Sequence, residues 1–459
     1  MQKTSKIIGK IISTIITLSL IFIAYKIYSV NNFNQYIKAE YNSGISKFKR
    51  DDEVKYSSVN SYRIENTDYN DAMFFRKISV NSNTPYKITC MIKTQDVKNK
   101  NEDTDAGAHI CINGTVEKSD NVVGTTDWTK VEFVFNSKNR TELEVGFRLG
   151  GNYDDSIGTA WFSNITIESG LSDESSTWNF LCILFDNVDV NVKIKGSNQN
   201  VQLHLSETDK EDMRLCMQRF KNSMAELSEN KISVTYDVIE EKEPITSMSY
   251  DEENGYYVSA YDIKNVIDKY ISQGTYDHIF IAFRTGDINS KTEIPVNDWI
   301  GLGSMEYRNI GFSNIRLPNS ESNYIYKYDD RINTFPEEVY VHEFLHTLER
   351  NAEEYGYERP ELHAYEKYGY KNQNTVGLKQ WYKDYMNKNI KSSSGTYVGL
   401  PSEIFTKKPV KTSQFDYTIQ LDKLKDPENI IEEIIEVFRK IGNLFETIKR
   451  NSETAQNNI

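Results

Sequence analysis

Two histidines and a glutamate form a short motif whose residue types and spacing could support chemistry at a metal ion. His342 and His346 stand four residues apart, and Glu343 directly follows the first histidine. Side chains four apart on a helix project from one face about one turn apart, so both imidazoles could bind a single tetrahedral Zn²⁺. Glu343 would then lie beside a zinc-bound water and could carry its proton to a leaving amine. The motif predicts a zinc-dependent hydrolase with Glu343 as the catalytic residue.

A tetrahedral site that keeps one position open for catalysis needs a third protein ligand. His363 is favoured because three of the six histidines lie within residues 342–363. Glu366 is favoured because it lies 20 residues after His346, a spacing similar to that of thermolysin-like gluzincins. The sequence leaves both residues open as metal ligands.

Three tyrosines follow these ligands and could take part in the same chemistry. Tyr365, Tyr368 and Tyr370 are candidates to donate a hydrogen bond to the oxyanion of a tetrahedral intermediate. The alternative for each tyrosine is packing in the core or on the surface.

The spacing of the motif has this meaning only if the motif lies on a helix. Thr334 is the expected N-cap, Glu337 completes a capping box three residues later, and no helix breaker follows before Gly356. The sequence therefore predicts a long helix across the motif.

The region before this helix alternates predicted strands with predicted helices. Apolar or alternating runs predict strands at 180–185, 233–239 and 278–283, and helical patterns cover 208–230 and 261–271. Thr208 is the expected N-cap of the first of these helices, with Glu211 closing its capping box. This order predicts an α/β or α+β domain over residues 177–459.

Near the end of the chain, apolar residues recur at helical spacing. They predict an amphipathic helix over residues 427–450 that docks on its own domain.

Residues 52–169 differ from the rest of the chain in their pattern of polar and apolar residues. Short runs of alternating polar and apolar residues are separated by polar turns, as in 86–93 and 130–135. This period-2 pattern predicts an all-β sandwich, and the polar segment 170–176 reads as a linker. Cys90 and Cys111 lie in this domain and could form a disulfide. The favoured interpretation is that the cysteines are small, buried, apolar side chains.

The amino terminus carries a targeting signal. Lys3, Lys6 and Lys10 precede an uncharged run at 11–25, and Lys26 follows it. Flanking lysines can extend their ammonium groups to the membrane interface, and leading positive charge keeps the start of the segment in the cytoplasm. Residues 1–30 are therefore predicted to be an uncleaved signal anchor, with a cleaved signal peptide and a secreted protein as the alternative.

The predicted topology places the rest of the chain outside the cytoplasm. Residues 31–51 are polar and are predicted to form a stalk between the anchor and the sandwich. The net charge is −13 and the isoelectric point about 5.2. This acidic balance lacks the basic surface typical of nucleic-acid binding.

The metal motif resembles a known peptidase family. The run from His342 to Leu348, followed by Ala352 to Tyr355, is similar to zinc peptidases of the bacterial IgA-peptidase type, which have an HEFxH[ST] start and an Asp-Glu-Tyr end. Glu353 stands where that family has Asp. Residues 342–370 also resemble uncharacterised secreted zincin-like proteins of anaerobic Gram-positive bacteria. The resemblance implies a zincin fold and peptide hydrolysis, and it carries over His342, Glu343 and His346.

The sandwich region resembles the jelly-roll carbohydrate-binding modules attached to glycan-degrading enzymes. The similarity rests on 86–94, 126–133 and 160–165. The resemblance implies glycan binding, with Trp128 and Trp161 as candidate sugar platforms that could equally be core residues.

These features together predict an extracytoplasmic zinc endopeptidase that acts on proteins or glycoproteins, with a sandwich that targets substrate or glycan. The alternative is a non-catalytic glycan-binding or adhesion protein of the cell surface with a structural or vestigial zinc site. A glycoside hydrolase would need two carboxylates across a sugar, and no recognisable pair appears.

Overall fold

The computed structural model describes residues 36–420 apart from 102–104, 153, 272–274, 288–291, 320–324, 372–374 and 412–414. The signal anchor predicted for 1–30 and the amphipathic helix predicted for 427–450 lie outside the described residues. Within the described part of the chain, no helix is both long enough and apolar enough to span a membrane.

The first half of the described chain is an antiparallel β-sandwich. One sheet has the strand order β1-β4-β8-β6, and the other has the order β2-β3-β9-β5-β7. The strands are β1 (Ile37–Glu40), β2 (Ser46–Tyr56), β3 (Val59–Asn70), β4 (Ala72–Ser79), β5 (Pro85–Asn99), β6 (Gly107–Ile112), β7 (Gly124–Asn136), β8 (Glu142–Gly150) and β9 (Ser156–Gly170).

Alternation of apolar residues builds the core between the two sheets. Ile88, Cys90 and Ile92 of β5 point inward together with Phe133 and Phe135 of β7, and all are buried. Strands with one face on a core require this alternation. The predicted sandwich is confirmed, and the four cysteines, all among the described residues, are buried and form no disulfide.

The sandwich begins earlier than the sequence predicted. From Ile37 onward, residues assigned to the stalk form β1 and most of β2. The ring of Tyr36 lies 4.6 Å from that of Tyr62 and contacts the core. The stalk prediction for 31–51 is thus wrong for this part, because polar side chains on the outer faces of edge strands hide the alternation.

The second half of the described chain is an α/β unit. Its central sheet has the order β13-β10-β16-β18-β17, parallel except for the antiparallel edge strand β17. The sheet strands are β10 (Thr177–Phe185), β13 (Ser233–Glu241), β16 (His278–Arg284), β17 (Gly301–Tyr307) and β18 (Ile310–Leu317). The helices are α1 (Glu207–Leu227), α2 (Lys264–Tyr270), α3 (Glu338–Glu354) and α4 (Thr375–Met386).

Seven further strands are described. They form three antiparallel hairpins and one strand that returns to the sandwich beside β9. They are β11 (Asn187–Ile194), β12 (Ser197–His204), β14 (Ser249–Asp251), β15 (Gly255–Tyr257), β19 (Ile390–Lys391), β20 (Tyr397–Val398) and β21 (Phe415–Gln420).

The central sheet is buried on both faces, which explains its continuous apolar strands. Phe180 and Leu184 of β10 face the core that includes α1 and α3. Leu181 and Ile183 of the same strand face the core under α2 and the β11–β12 hairpin. The predicted alternation of strands and helices is therefore observed, and the metal motif lies on a helix that packs on this sheet.

Two predicted helix starts were displaced. Ser206, not Thr208, caps α1, and Asp209 rather than Glu211 completes its capping box. Helix α3 begins at Glu338, and its N-cap Glu337 makes no side-chain capping bond, so the capping box expected at Thr334 and Glu337 does not form. In α1 a second Ser/Asp pair two residues upstream competes for the same role.

The two units meet beside the motif helix. Lys138 of the sandwich pairs with Glu354 at the end of α3, with 2.6 Å between nitrogen and oxygen. Arg308, in the turn between β17 and β18, pairs with Asp120 of the sandwich. The sandwich thus contacts the helix that carries the motif and the β17–β18 hairpin beside that helix.

The position of β1 predicts how the isolated sandwich behaves. Residues 36–171 should melt cooperatively. Residues 45–171 lack β1 and should melt at least about 5 °C lower, because each ~1 kcal/mol of lost stability lowers the midpoint of a domain this size by about 4 °C. Calorimetry of the two fragments tests this. Equal midpoints would show that β1 contributes nothing to the sandwich.

Candidate metal centre

Helix α3 presents its two histidines to solvent because its other face is buried. Phe344 contacts Trp178 and Phe180 of β10 at ring separations of 4.9 Å in each case. His342 and His346 lie on the opposite face, with side-chain exposures of 21% and 18%. This packing fixes the rotation of the helix and thereby the direction of both imidazoles.

Three imidazoles converge on one point beside the helix. The Nε2 atom of His342 lies 2.9 Å from Nε2 of His363 and 3.2 Å from Nε2 of His346. Nitrogens bound to one tetrahedral zinc at 2.0–2.1 Å stand about 3.3 Å apart, so these spacings match a shared ion. Within the described residues, these three histidines are the one group of three metal-binding side chains close enough to share an ion.

Of the two residues that the sequence left open, the structure brings only His363 into this group. His363 precedes a 3-10 turn at Ala364–Tyr368 and is exposed. Glu366 is an exposed residue inside the same turn and is not part of the group. The segment after α3 is a loop and a short turn, and this backbone brings His363 rather than Glu366 beside the two helix histidines.

The far nitrogen of each helix histidine is bound by the protein. Nδ1 of His342 lies 2.9 Å from the hydroxyl of Tyr382 on α4, and that hydroxyl donates to the carboxylate of Glu338. Nδ1 of His346 lies 3.0 Å from Oε2 of Glu349. Such partners hold the proton on Nδ1 and leave Nε2 free to bind a metal.

Burial and mutual proximity favour the neutral form of His342 and His363. Burial lowers the pKa of His342 well below its usual value, and the nearby His346 and His363 lower it further. Burial likewise lowers the pKa of His363. Neutral imidazole is the form that binds a metal ion, so the donor set fits zinc.

A carboxylate, Glu349, has no role in the sequence motif but touches two parts of the site. Burial opposes its ionisation, but hydrogen bonds from His346 and from the backbone of Leu362, with the nearby charge of Arg359, hold its pKa below the usual value. Glu349 is thus the negative partner of the His346 imidazole.

Glu343 is buried, with 3% of its surface exposed. Burial raises the pKa of its carboxyl well above the usual value, and the negative charge of Glu338 adds to this effect. The backbone N–H of Gly303 on β17 donates to it and acts in the opposite direction. Its side chain lies between the helix and the edge strand of the sheet.

The glycines of β17 make room for this side chain. A Cβ atom at Gly301 would lie 2.3 Å from Oε1 of Glu343, and one at Gly303 would lie 2.6 Å from Oε2. Both distances are far below van der Waals contact, so the strand sequence Gly-Leu-Gly is matched to a glutamate at position 343.

The three tyrosines proposed as oxyanion donors lie around a buried tryptophan instead. The rings of Tyr365, Tyr368 and Tyr370 lie 6.5, 6.0 and 5.1 Å from the Trp381 ring. The hydroxyl of Tyr370 donates to Asp384. These contacts pack the three rings around Trp381 and connect the His363 loop to α4.

The two tryptophans of the sandwich differ in access. Trp161 is 6% exposed, donates its indole N–H to Asp51 and is covered by the Arg63 guanidinium, 5.7 Å from the ring. Trp128 is half-buried beside Tyr56, with 5.9 Å between the ring centres. Trp161 is therefore a packed residue, and Trp128 retains some exposed ring.

Sequence reasoning missed the residues that orient the imidazoles. Tyr382 and Glu338 lie 40 and 4 residues from His342, and their contact depends on how α4 packs on α3. Glu349 stands three residues after His346, and that spacing on a helix was a usable signal.

Comparisons with known proteins yield structural similarity alone. No family model matches the chain, and no curated protein matches it. A structure described as "CBM4 structure and function" shares 15% identity over 30% of this chain and 96% of its own, with a TM-score of 0.20. The TmCBM61 complex with β-1,4-galactotriose shares 10% identity over 29% of this chain and 88% of its own, with a TM-score of 0.21.

A two-module enzyme gives a longer alignment. The CBM22-1–GH10 part of Clostridium thermocellum xylanase 10B, complexed with xylohexaose, shares 10% identity over 70% of this chain and has a TM-score of 0.20. The chain spans about half of that structure, 54%. These neighbours are carbohydrate-binding modules with jelly-roll sandwiches, but at such TM-scores they carry no argument about this chain.

The geometry predicts which third ligand matters for metal binding. His363→Ala should abolish stoichiometric zinc retention after dialysis, because two imidazoles alone hold zinc weakly. Glu366→Ala, three residues away in the same segment, is the matched control and should retain zinc like the parent. Elemental analysis of both proteins gives the answer, and the reverse pattern would transfer the ligand role to Glu366.

Proposed function

We propose that this protein is a zinc-dependent endopeptidase that hydrolyses peptide bonds of proteins or glycoproteins. One observation carries the proposal: three imidazoles converge at a solvent-facing point beside a helix, and that helix also holds a glutamate next to the first ligand. A site with three protein ligands and an open side is the arrangement of catalytic rather than structural zinc.

The proposal gives each residue of the site a role. His342, His346 and His363 would hold the ion, which when bound supplies Lewis-acid activation of a water and of a carbonyl group. Glu343 would accept the proton of the attacking water and return it to the leaving amine. Tyr382 and Glu349 hold the two helix imidazoles in the tautomer that ligation requires.

The edge strand supports a peptide as substrate. In the described sheet, β17 is the outermost strand, antiparallel to its neighbour and packed beside α3. An extended peptide can add to such an edge by backbone hydrogen bonds, which brings a scissile bond along the helix. A zincin-like domain is the fold that this arrangement of sheet, helix and metal ligands supports.

Location and targeting belong to the same proposal. The charge-led apolar segment 11–25 would tether the protein at the membrane with the remaining chain outside the cytoplasm, or be removed from a secreted form. The sandwich would recruit glycoprotein substrates or glycans to the catalytic unit, as its contacts with α3 and the β17–β18 turn bring the two units together.

A second candidate is a non-catalytic glycan-binding or adhesion protein with a structural zinc site. The burial of Glu343 against β17 favours it, because a buried carboxyl bonded to a backbone N–H can serve packing alone.

Substitution of Glu343 separates the two functions. Glu343→Gln preserves shape and zinc content but should lower hydrolysis of a peptide library by at least ~10²-fold, the scale of general acid–base assistance. Glu353→Gln, at an exposed position of the same helix, is the control and should hydrolyse like the parent. Cleavage-site mass spectrometry of the library measures the change.

Two results would contradict the peptidase proposal. One is full activity in the Glu343→Gln protein, which would rule out the role of the carboxylate. The other is a zinc-loaded parent that cleaves nothing in a broad library, which would favour the adhesion protein.

The sandwich makes a separate prediction about glycans. If Trp128 is the sugar platform, Trp128→Ala should abolish glycan-array binding with little change in melting temperature, since its ring is half-buried. Trp161→Ala should instead destabilise the domain by about 3–5 kcal/mol, because it removes a buried ring. Unchanged glycan binding in folded Trp128→Ala protein would exclude that platform.

A further inference from the structure

Glu349 contacts both the helix part and the loop part of the candidate metal centre. Its Oε2 atom lies 3.0 Å from Nδ1 of His346, and its Oε1 atom accepts the backbone N–H of Leu362 at 2.8 Å. Leu362 is the residue directly before His363. One carboxylate therefore binds one zinc-ligand side chain and the backbone next to another.

Other contacts also hold the loop that carries His363, and the buried side chain of Leu362 packs in the core that includes α3 and α4. The remaining anchors of the loop run mainly to α4: Trp381 donates to the carbonyl of Leu362 at 2.9 Å, and Tyr385 donates to that of Pro360 at 3.0 Å. Arg359 reaches back to α3, where it pairs with Glu353 at 3.1 Å and approaches Glu349 at 3.8 Å. The direct backbone attachment beside His363 on the helix side is the one to Glu349.

We propose that Glu349 is a positioning residue that assembles the zinc site by coupling His346 to His363. Resting on the proposed function, this assigns the carboxylate two simultaneous tasks. Oε2 keeps the proton of His346 on Nδ1, so that Nε2 faces the ion, and Oε1 docks the loop so that the His363 imidazole reaches the same ion.

Each task requires a hydrogen-bond acceptor, and for this reason replacement of Glu349 by glutamine can satisfy only one of the two. The amide of Glu349→Gln has one acceptor oxygen and one donor nitrogen. If the oxygen faces Leu362, the NH₂ group faces His346 and favours the tautomer with the proton on Nε2, so that Nε2 cannot bind the ion. If the oxygen faces His346, the NH₂ group opposes the N–H of Leu362 and the loop undocks.

Either orientation weakens the site, so zinc affinity is the direct measurement. Competition with a chromophoric chelator should show a Kd for Glu349→Gln that is about 10–100-fold weaker than that of the parent, the usual range for partners of ligand histidines. Glu353→Gln is the matched control: it lies one turn further on the same helix, is 74% exposed and shares Arg359 as a partner. Its affinity should equal that of the parent.

A double-mutant cycle tests the coupling itself. If Glu349 acts through the loop ligand, His363→Ala should weaken zinc binding much less in the Glu349→Gln background than in the parent background. Additive effects would overturn the coupling, and so would a Glu349→Gln protein that binds zinc like the parent. Cobalt substitution adds a spectroscopic readout, because a lost imidazole changes the visible absorption of the bound ion.

Two controls keep the result interpretable. If Glu349→Gln fails to fold, Glu349→Asp keeps the charge but is one methylene too short for both contacts, and its affinity should fall in the same direction. A parent protein that binds no zinc, or binds it equally well after His342→Ala, would defeat the proposed metal site. A parent that requires His342 and His363 but not Glu349 would defeat only the present inference.

Discussion

The site depends on the fixed rotation of one helix about its own axis. Phe344 and its apolar neighbours are held in the core against β10, and this leaves His342 and His346 on the solvent side. If the helix turned by one residue, about 100°, the two imidazoles would face the sheet or the flanking loops. The burial of the apolar face thus determines where a metal can bind, and the loop with His363 closes around that position.

A second constraint acts on the other flank of the helix. Glu343 occupies space that any side chain at positions 301 or 303 would fill, so the edge strand carries glycine at both. The cost is a lower stability of the folded strand, since glycine loses more backbone entropy on folding than other residues. The pairing of Gly301 and Gly303 with Glu343 connects the sheet edge, where an extended peptide could bind, to the carboxylate proposed to act on it.

The sequence was most informative where local periodicity decides the structure. Alternating residues predicted the sandwich, and the i, i+4 pair of His342 and His346 predicted a shared face. Local periodicity could not predict three features. The sandwich starts at Ile37, Ser206 caps α1, and His363 rather than Glu366 joins the two helix histidines. Each depends on partners distant in the chain, such as the edge pairing of β1 with β4 or the docking of Leu362 on Glu349. The contact of Tyr382 with His342 could not be predicted for the same reason, because the two residues are 40 positions apart.

The proposed zinc site would bind one ion through His342, His346 and His363 and keep one position open. X-ray absorption at the zinc edge, measured on the purified protein, tests it most directly. An ion held by these three residues should show scattering from three imidazole nitrogens at ~2.0–2.1 Å together with oxygen from water in the open position. A zinc shell of oxygens alone, or a spectrum unchanged when His363 is replaced by alanine, would contradict it.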